Sequence, residues 1–252
     1  APQSPEAIPV FINAAKKNHS RLIQVDETTI IRPKSTGTEG QSFELDTLQN
    51  TYDLYTPLLG EYQLRNAATA VIAAEVLANN NHSVSQQSIV DGIANVKWPA
   101  RMQFLRVGST RVLLDGAHNP ESIKHLVIAV RQYFQFDKLI LLFGATRGHS
   151  MEGMLNELSS LSPLVVAVQS RHPKSESYKA VGETARTAGL KIEFSSNDIG
   201  VATRWALDLA TTSDLILAAG SLSVPAEVIE ELEGIEPEMY PSIVQPDTRT
   251  SS

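Results

Sequence analysis

From residue 111 onward the chain repeats one rhythm five times: a short apolar run, then a stretch with helical spacing. RVLLD precedes a helical pattern over 120–134, KLILLFG one over 151–161, LVVAVQ one over 176–188, KIEFS one over 198–210, and DLILAAGS one over 223–232. The apolar runs are continuous, not alternating, which is the pattern of strands covered on both faces. Strands that alternate with helices join as right-handed parallel βαβ units. The expected fold class is therefore α/β, with a Rossmann-like, doubly wound, mostly parallel sheet.

Upstream the rhythm differs. Residues 5–18 read as a helix capped by Ser4, with Pro5 and Glu6 in its first turn. Residues 21–25 and 28–32 read as short strands. Gly-rich STGTEGQ leads into SFELDTL, which alternates like a half-buried strand, and a short strand over Tyr52–Tyr55 can pair with it. Pro57 and Gly60 break the chain. Leu64, Ala68, Val71, Ala74 and Ala78 then recur at helical spacing, and Ser85 caps a further helix over 86–94. WPARMQF, with Pro99, reads as a linker or turn. The expected division is 1–104, 105–235, and a polar, Pro-rich tail over 236–252.

Composition removes several classes of function. The net charge of -7 argues against a nucleic-acid binder that works mainly by electrostatics. With no cysteine, disulfide frameworks and thiolate metal sites are excluded. No apolar run approaches the roughly 18 residues of a membrane span, and no signal segment opens the chain, so a cytoplasmic location is expected. Neither G-x-G-x-x-G nor G-x-x-x-x-G-K-[ST] occurs, which withdraws support from a nicotinamide or flavin cofactor and from a P-loop within these residues.

Three stretches carry candidate chemistry. In LLDGAHNPES, residues 113–122, Asp115 falls at the carboxyl end of a strand, where α/β sheets gather ligands. Asn119 suits a helix N-cap worth about 1 kcal/mol, and Pro120 suits the first helical position. Capping leaves Asp115 and His118 unexplained, although a strand-end Asp can also simply bond loop amides. In GEYQLRNAATA, residues 60–70, Gln63, Arg65 and Asn66 stand at a helix start, fit either for polar ligand contacts or for ordinary capping. In WPARMQF, residues 98–104, Arg101 follows a stiff Trp-Pro pair. Its fork of donors suits phosphate oxygens, or alternatively a surface salt bridge.

Taken together, GEYQLRNAATA, WPARMQF and LLDGAHNPES, with PQSPEA at the start and LILAAGSLSV near the end, closely resemble the folylpolyglutamate synthase/dihydrofolate synthase family of the Mur ligase superfamily. The likeness runs from about residue 2 to 233. It implies an ADP-forming ligase that adds L-glutamate to dihydropteroate or a folate, phosphorylating the acceptor carboxylate with ATP and Mg2+ before the amine attacks. It also implies that residues 1–104 are the last part of a P-loop-type central ATPase domain and that 105–235 are the Rossmann-like C-terminal domain. By the same resemblance Asn66 contacts adenine, Arg101 the terminal phosphates and Asp115 the ribose hydroxyls. His118 lies beside the nucleotide, and Arg101 and His118 are the catalytic candidates.

The family's P-loop, its metal ligands and its modified lysine precede the matching region, so no metal ligand is assigned in this chain. The loop that carries an Asp-Lys-Asp run in the family reads ATRGHSMEG in this sequence. Two rival readings are a stand-alone Rossmann-like module that binds a nucleotide or glutamate without catalysis, and a peptidoglycan ligase of the Mur type. A ligase fragment whose ATPase region lies elsewhere is the first expectation. This chain by itself should then release no phosphate from ATP in steady turnover; a magnesium-dependent phosphate-release assay on the purified chain measures it, and sustained turnover refutes it.

Overall fold

The computed structural model describes residues 5–80, 82–237 and 239. They divide into two compact units, one ending at Trp98 and one beginning at Pro99.

The first unit opens with helix α1 (Ile8–Lys17) and the short α2 (Val25–Thr28). Strands β1 (Ile30–Gly37), β2 (Gly40–Asp46) and β3 (Thr51–Thr56) follow as an antiparallel meander. Alternation in β2 and β3 sends Phe43, Leu45, Tyr52 and Leu54 to one face. Helix α3 (Glu61–Asn79) covers that face with Leu64, Ala67, Ala68, Val71 and Ile72, and α4 (Gln86–Ala94) adds Ile89. Buried Glu75 of α3 joins helix to hairpin: one of its carboxylate oxygens accepts from Thr47 Oγ1 at 2.9 Å, Asn50 Nδ2 at 2.9 Å and Tyr52 OH at 3.0 Å. Ser85 caps α4 by accepting from Ser88 N, as its sequence position predicts.

The second unit is a six-stranded sheet. Its strands are β4 (Gln103–Val107), β5 (Thr110–Leu114), β6 (Leu139–Phe143), β7 (Leu164–Val168), β8 (Lys191–Ser196) and β9 (Leu215–Ala219), in the spatial order β4-β5-β9-β6-β7-β8. Only β4 runs antiparallel. Helices α5 (Pro120–Tyr133), α6 (Met151–Ser159) and α7 (Tyr178–Thr187) pack in sequence against one another, while α8 (Ile199–Leu209) and α9 (Ser223–Glu233) pair separately. Val112, Leu114, Ile140, Leu142, Val166, Ile216 and Ala218 meet α8 and α9. The alternate residues Leu113, Leu141, Val165 and Leu217 are equally buried on the other face. Burial on both faces is the reason these strands read as unbroken apolar runs.

Several expectations for the first hundred residues need correction. Residues 5–7 form a turn and α1 starts at Ile8; Ser4 lies outside the described residues. Residues 21–24 are irregular and Val25 opens a helical turn, so no strand occupies 21–25. The strand expected over 28–32 is β1, which begins at Ile30 and continues through Gly37 into the Gly-rich STGTEGQ stretch. Most of β1 is exposed, so no apolar alternation betrays it, and pairing with β2 alone makes it a strand. WPARMQF is only partly a turn, since Gln103 starts edge strand β4. Most of the tail expected over 236–252 lies outside the described residues.

Leu141 is completely buried on central β6. Leu141→Ala should cost this unit about 2–5 kcal/mol. Urea unfolding followed by the fluorescence of Trp205, which stacks on Phe194 at 4.9 Å, in a Trp98→Phe background would register it as a lower midpoint.

Candidate functional site

In the second unit α5 and α6 lead away from β5 and β6 to one face of the sheet, whereas α9 leads away from the intervening β9 to the other. Loops that part in this way leave a crevice at the carboxyl ends of the strands. The crevice is bordered by the loop after β5, which carries Asp115 and His118, the loop after β9 with Gly220 and Ser221, and the loop after β6, residues 144–150. The loops are stitched together: Asp115 N donates to Ala218 O, Gly220 N to Ala117 O, and Gly144 N to Ala219 O. A Cβ on Gly220 (φ +103°) would fall 2.6 Å from Gly144 O and 2.6 Å from the Phe143 ring, so only glycine fits there.

Asp115 is 4% exposed. Its Oδ2 accepts from Met102 N at 2.8 Å and its Oδ1 from Ala117 N at 2.8 Å. Burial pushes its carboxyl above the ordinary carboxylate value; the two amides, with the charges of Arg101 and His118, pull it back. Each oxygen keeps acceptor capacity beyond the amide it holds.

The partner of this clip is the turn that carries Arg101. Ala100 (φ 56°) and Met102 (φ 48°) both adopt the left-handed conformation, and both are buried. Left-handed backbone costs a non-glycine residue roughly 1–2 kcal/mol, so the turn persists because its surroundings impose it. Ala100 N donates to Gln103 Oε1 at 3.0 Å, Ala100 O accepts from Gly116 N at 2.8 Å, and Met102 N is held by Asp115. Arg101, between them, is half-buried. The stiffness expected of Trp98-Pro99 thus has a different source: two left-handed residues fastened to the end of β5.

His118 is exposed, with its backbone N–H on Ser122 Oγ at 3.1 Å and its Nδ1 3.0 Å from Gly116 O. A carbonyl oxygen only accepts, so the ring hydrogen sits on Nδ1 and Nε2 keeps its lone pair in the neutral form. Asn119 caps α5 in a reciprocal box with Ser122, and Pro120 takes the first helical position, both as the sequence predicts. His149, from the loop after β6, meets the His118 ring edge to face at 5.2 Å between centroids. Sequence reasoning misses His149, because nothing in GATRGHS marks it and only the sheet order brings the two loops together.

Asn66 belongs to the first unit. Together with Gln63, Ala70, Ala74, Gly92, Ile93 and Trp98 it borders a hollow of about 710 Å³ along α3 and α4. Its Nδ2 donates to Gln63 Oε1 at 3.0 Å, and Arg65 one residue earlier pairs with Glu61 at 3.4 Å. Arg101, Asp115 and His118 come together within the second unit; Asn66 belongs to the first. Among the described residues no three His, Asp or Glu side chains cluster to hold a metal, and no helix is long and apolar enough to cross a membrane.

A doubly wound sheet with a buried acid, an imidazole and a braced turn bearing an arginine at the end of β5 is an α/β fold of the kind that gathers ligands at its strand ends. Comparison with known proteins specifies which. Residues 100–222 match the family model described as Mur ligase, glutamate ligase domain. The chain is 22% identical over 231 residues to a dihydrofolate synthase/folylpolyglutamate synthase of Bacillus subtilis, covering 91% of this chain and 53% of the relative. It is 33% identical over 185 residues to a probable bifunctional folylpolyglutamate synthase/dihydropteroate synthase of Haloferax volcanii, covering 73% of this chain and 21% of the relative. The folylpolyglutamate synthase of Mycobacterium tuberculosis, solved with ADP and AMPPCP, superposes with a TM-score of 0.78 at 25% identity over 94% of this chain and 55% of that one. The second unit carries the match to the Mur ligase glutamate ligase domain, and the chain is similar over most of its length to folylpolyglutamate synthases/dihydrofolate synthases, spanning about half the length of the Bacillus relative.

Removing the Asp115 carboxylate strands two buried N–H groups, while relieving the cost of burying a charge. Asp115→Ala should lower the stability of the second unit by a net of about 1–3 kcal/mol, read as a lower urea midpoint. An unchanged midpoint would mean that the turn holds itself.

Proposed function

We propose that this chain supplies the C-terminal portion of an ATP-dependent, ADP-forming ligase that joins L-glutamate to dihydropteroate or a folate through an acyl phosphate, and that it is inactive without a P-loop region. The observation that carries the reading is the bracing of the turn that bears Arg101: two left-handed residues and the Asp115 clip fix its backbone at the end of β5, with the Arg101 charge near enough to act on Asp115. Strain retained around a single cation makes sense where the cation must be in place before charge develops.

The roles follow from the side chains. Asn66, on the rim of an apolar hollow, offers amide hydrogen bonds to the adenine edge. Arg101 meets the terminal phosphates and offsets charge as the γ-phosphoryl moves. Asp115, with acceptor capacity beyond its two amides, takes the ribose hydroxyls. Magnesium would offset the negative charge of the phosphates; no residue of this chain is assigned to hold it, and the roles of Asn66, Arg101 and Asp115 do not depend on it.

In the second step the glutamate nitrogen bonds to the acyl carbon as the bond from that carbon to the phosphate oxygen breaks. Starting from an ammonium, nitrogen gives up two protons. One leaves with the phosphate as hydrogen phosphate, and the other goes to the protein or solvent. His118, whose Nε2 keeps its lone pair, accepts it.

In the intact protein, Arg101→Ala should lower kcat by roughly 100- to 1000-fold, the scale for losing one oriented charge-stabilising donor, with a much smaller change in KM for ATP. Steady-state measurement of ADP formation with dihydropteroate or a folate and glutamate decides it. If both constants stay at wild-type values, the phosphate role is wrong; if the wild type forms no ADP with any such acceptor, the ligase reading itself falls.

A further inference from the structure

The loop after β6 is shaped without help from His118. Arg147 N donates to Lys174 O at 2.8 Å, Arg147 Nη2 donates to Pro173 O at 2.6 Å, and Thr146 bridges Ser175 in antiparallel fashion. Glu176 N donates to Ala145 O at 2.8 Å, and Ser150 caps α6 by accepting from Gly153 N at 3.2 Å. These bonds to the loop after β7 and to the start of α6 fix the backbone on both sides of His149. His118 is anchored quite differently, by the end of β5 and the N-terminus of α5. Two independently fastened loops therefore deliver two exposed imidazoles to an edge-to-face contact, 5.2 Å apart with planes at 79°.

A single hydrogen bond at Nδ1 leaves an exposed ring free to swing about its side-chain torsions, which would scatter the direction of Nε2. A ring packed against it at right angles restricts that swing. The positive edge of one aromatic ring meets the negative face of the other.

We propose that His149 is a positioning residue for His118: it holds the imidazole with Nε2 presented at the strand-end crevice. The inference rests on the ligase reading and deepens it, since it assigns work to a loop residue that the family's motifs leave out. His149 acts through His118 and touches no substrate. The charged and titratable groups on the neighbouring elements include Asp115 in the same loop, Arg101 in the braced turn, Arg147 in the loop after β6, His172, Lys174 and Glu176 in the loop after β7, Glu152 in the first turn of α6, and Glu121 in the first turn of α5, which pairs with His125. Gly220, Ser221 and Leu222 of the loop after β9 bring none.

Two measurements test this. In this chain, histidine C–H proton resonances report the ring contact directly: His149→Ala should remove the ring-current displacement of the His118 signals, and His149→Phe should keep them displaced. In the intact protein, His149→Ala should lower kcat about 10-fold, a fraction of the general-base contribution. KM for ATP and for glutamate should stay within about twofold, and His149→Phe should recover kcat to within about twofold of wild type. The thermal midpoints of both variants, mutated at an exposed site, should match the wild type. Wild-type kcat in His149→Ala overturns the proposal, and so does a His149→Phe enzyme as slow as His149→Ala, because His149 would then be carrying protons or touching a ligand itself. Absence of ligase activity in the wild type refutes the proposed function instead, and leaves the resonance experiment to decide whether the pair exists.

Discussion

The bond from Met102 N to the Asp115 carboxylate is the constraint on which the site depends. It fastens the turn before β4 to the end of β5, and that turn holds Arg101 between two residues in a conformation they would not adopt alone. Burying a carboxylate is costly, and the charge is tolerated because two backbone N–H groups point at it with Arg101 and His118 close by. Fold and site thus share one group. The acid that pins the turn bearing Arg101 also keeps acceptor capacity on both oxygens.

The rest of the site is an outcome of sheet order. Because β9 inserts between β5 and β6, the loop after β5 and the loop after β6 flank a third loop that leads to the opposite face. Gly220 and Gly144 let β9 and β6 end close together. Arg147 and Thr146 lace the loop after β6 to the loop after β7, and the His118–His149 contact joins it to the loop after β5. The crevice rim is therefore a continuous, mutually braced structure rather than a set of separate tips, which is what pre-organised electrostatics requires.

Legibility in the sequence varies with the kind of force involved. Strands buried on both faces are readable because burial demands unbroken apolar runs, as in LILLF and LILAA. Helix α5 is readable from its Asn-Pro start because capping is local chemistry. Strand β1 is not, since most of it faces water and its identity comes from pairing. Strand β4 is hidden in WPARMQF for a similar reason, as an edge strand of half-buried residues. Asp115, Arg101 and His118 stand out as residues that local structure does not explain, whereas His149 carries no such mark.

By itself, then, the sequence determined the α/β class, the order and number of the repeating units from residue 111, and the family to which the chain is related. Those depend on periodicity, on caps and on motif residues close together along the chain. Only the tertiary structure decided that Asp115 grips a backbone amide thirteen residues back, that Ala100 and Met102 are left-handed, and that His149 meets His118. The first two arise from the antiparallel pairing of β4 with β5, which sets Gln103 opposite Leu114, and the third from the placement of β9 between β5 and β6, which sets how far apart their loops stand.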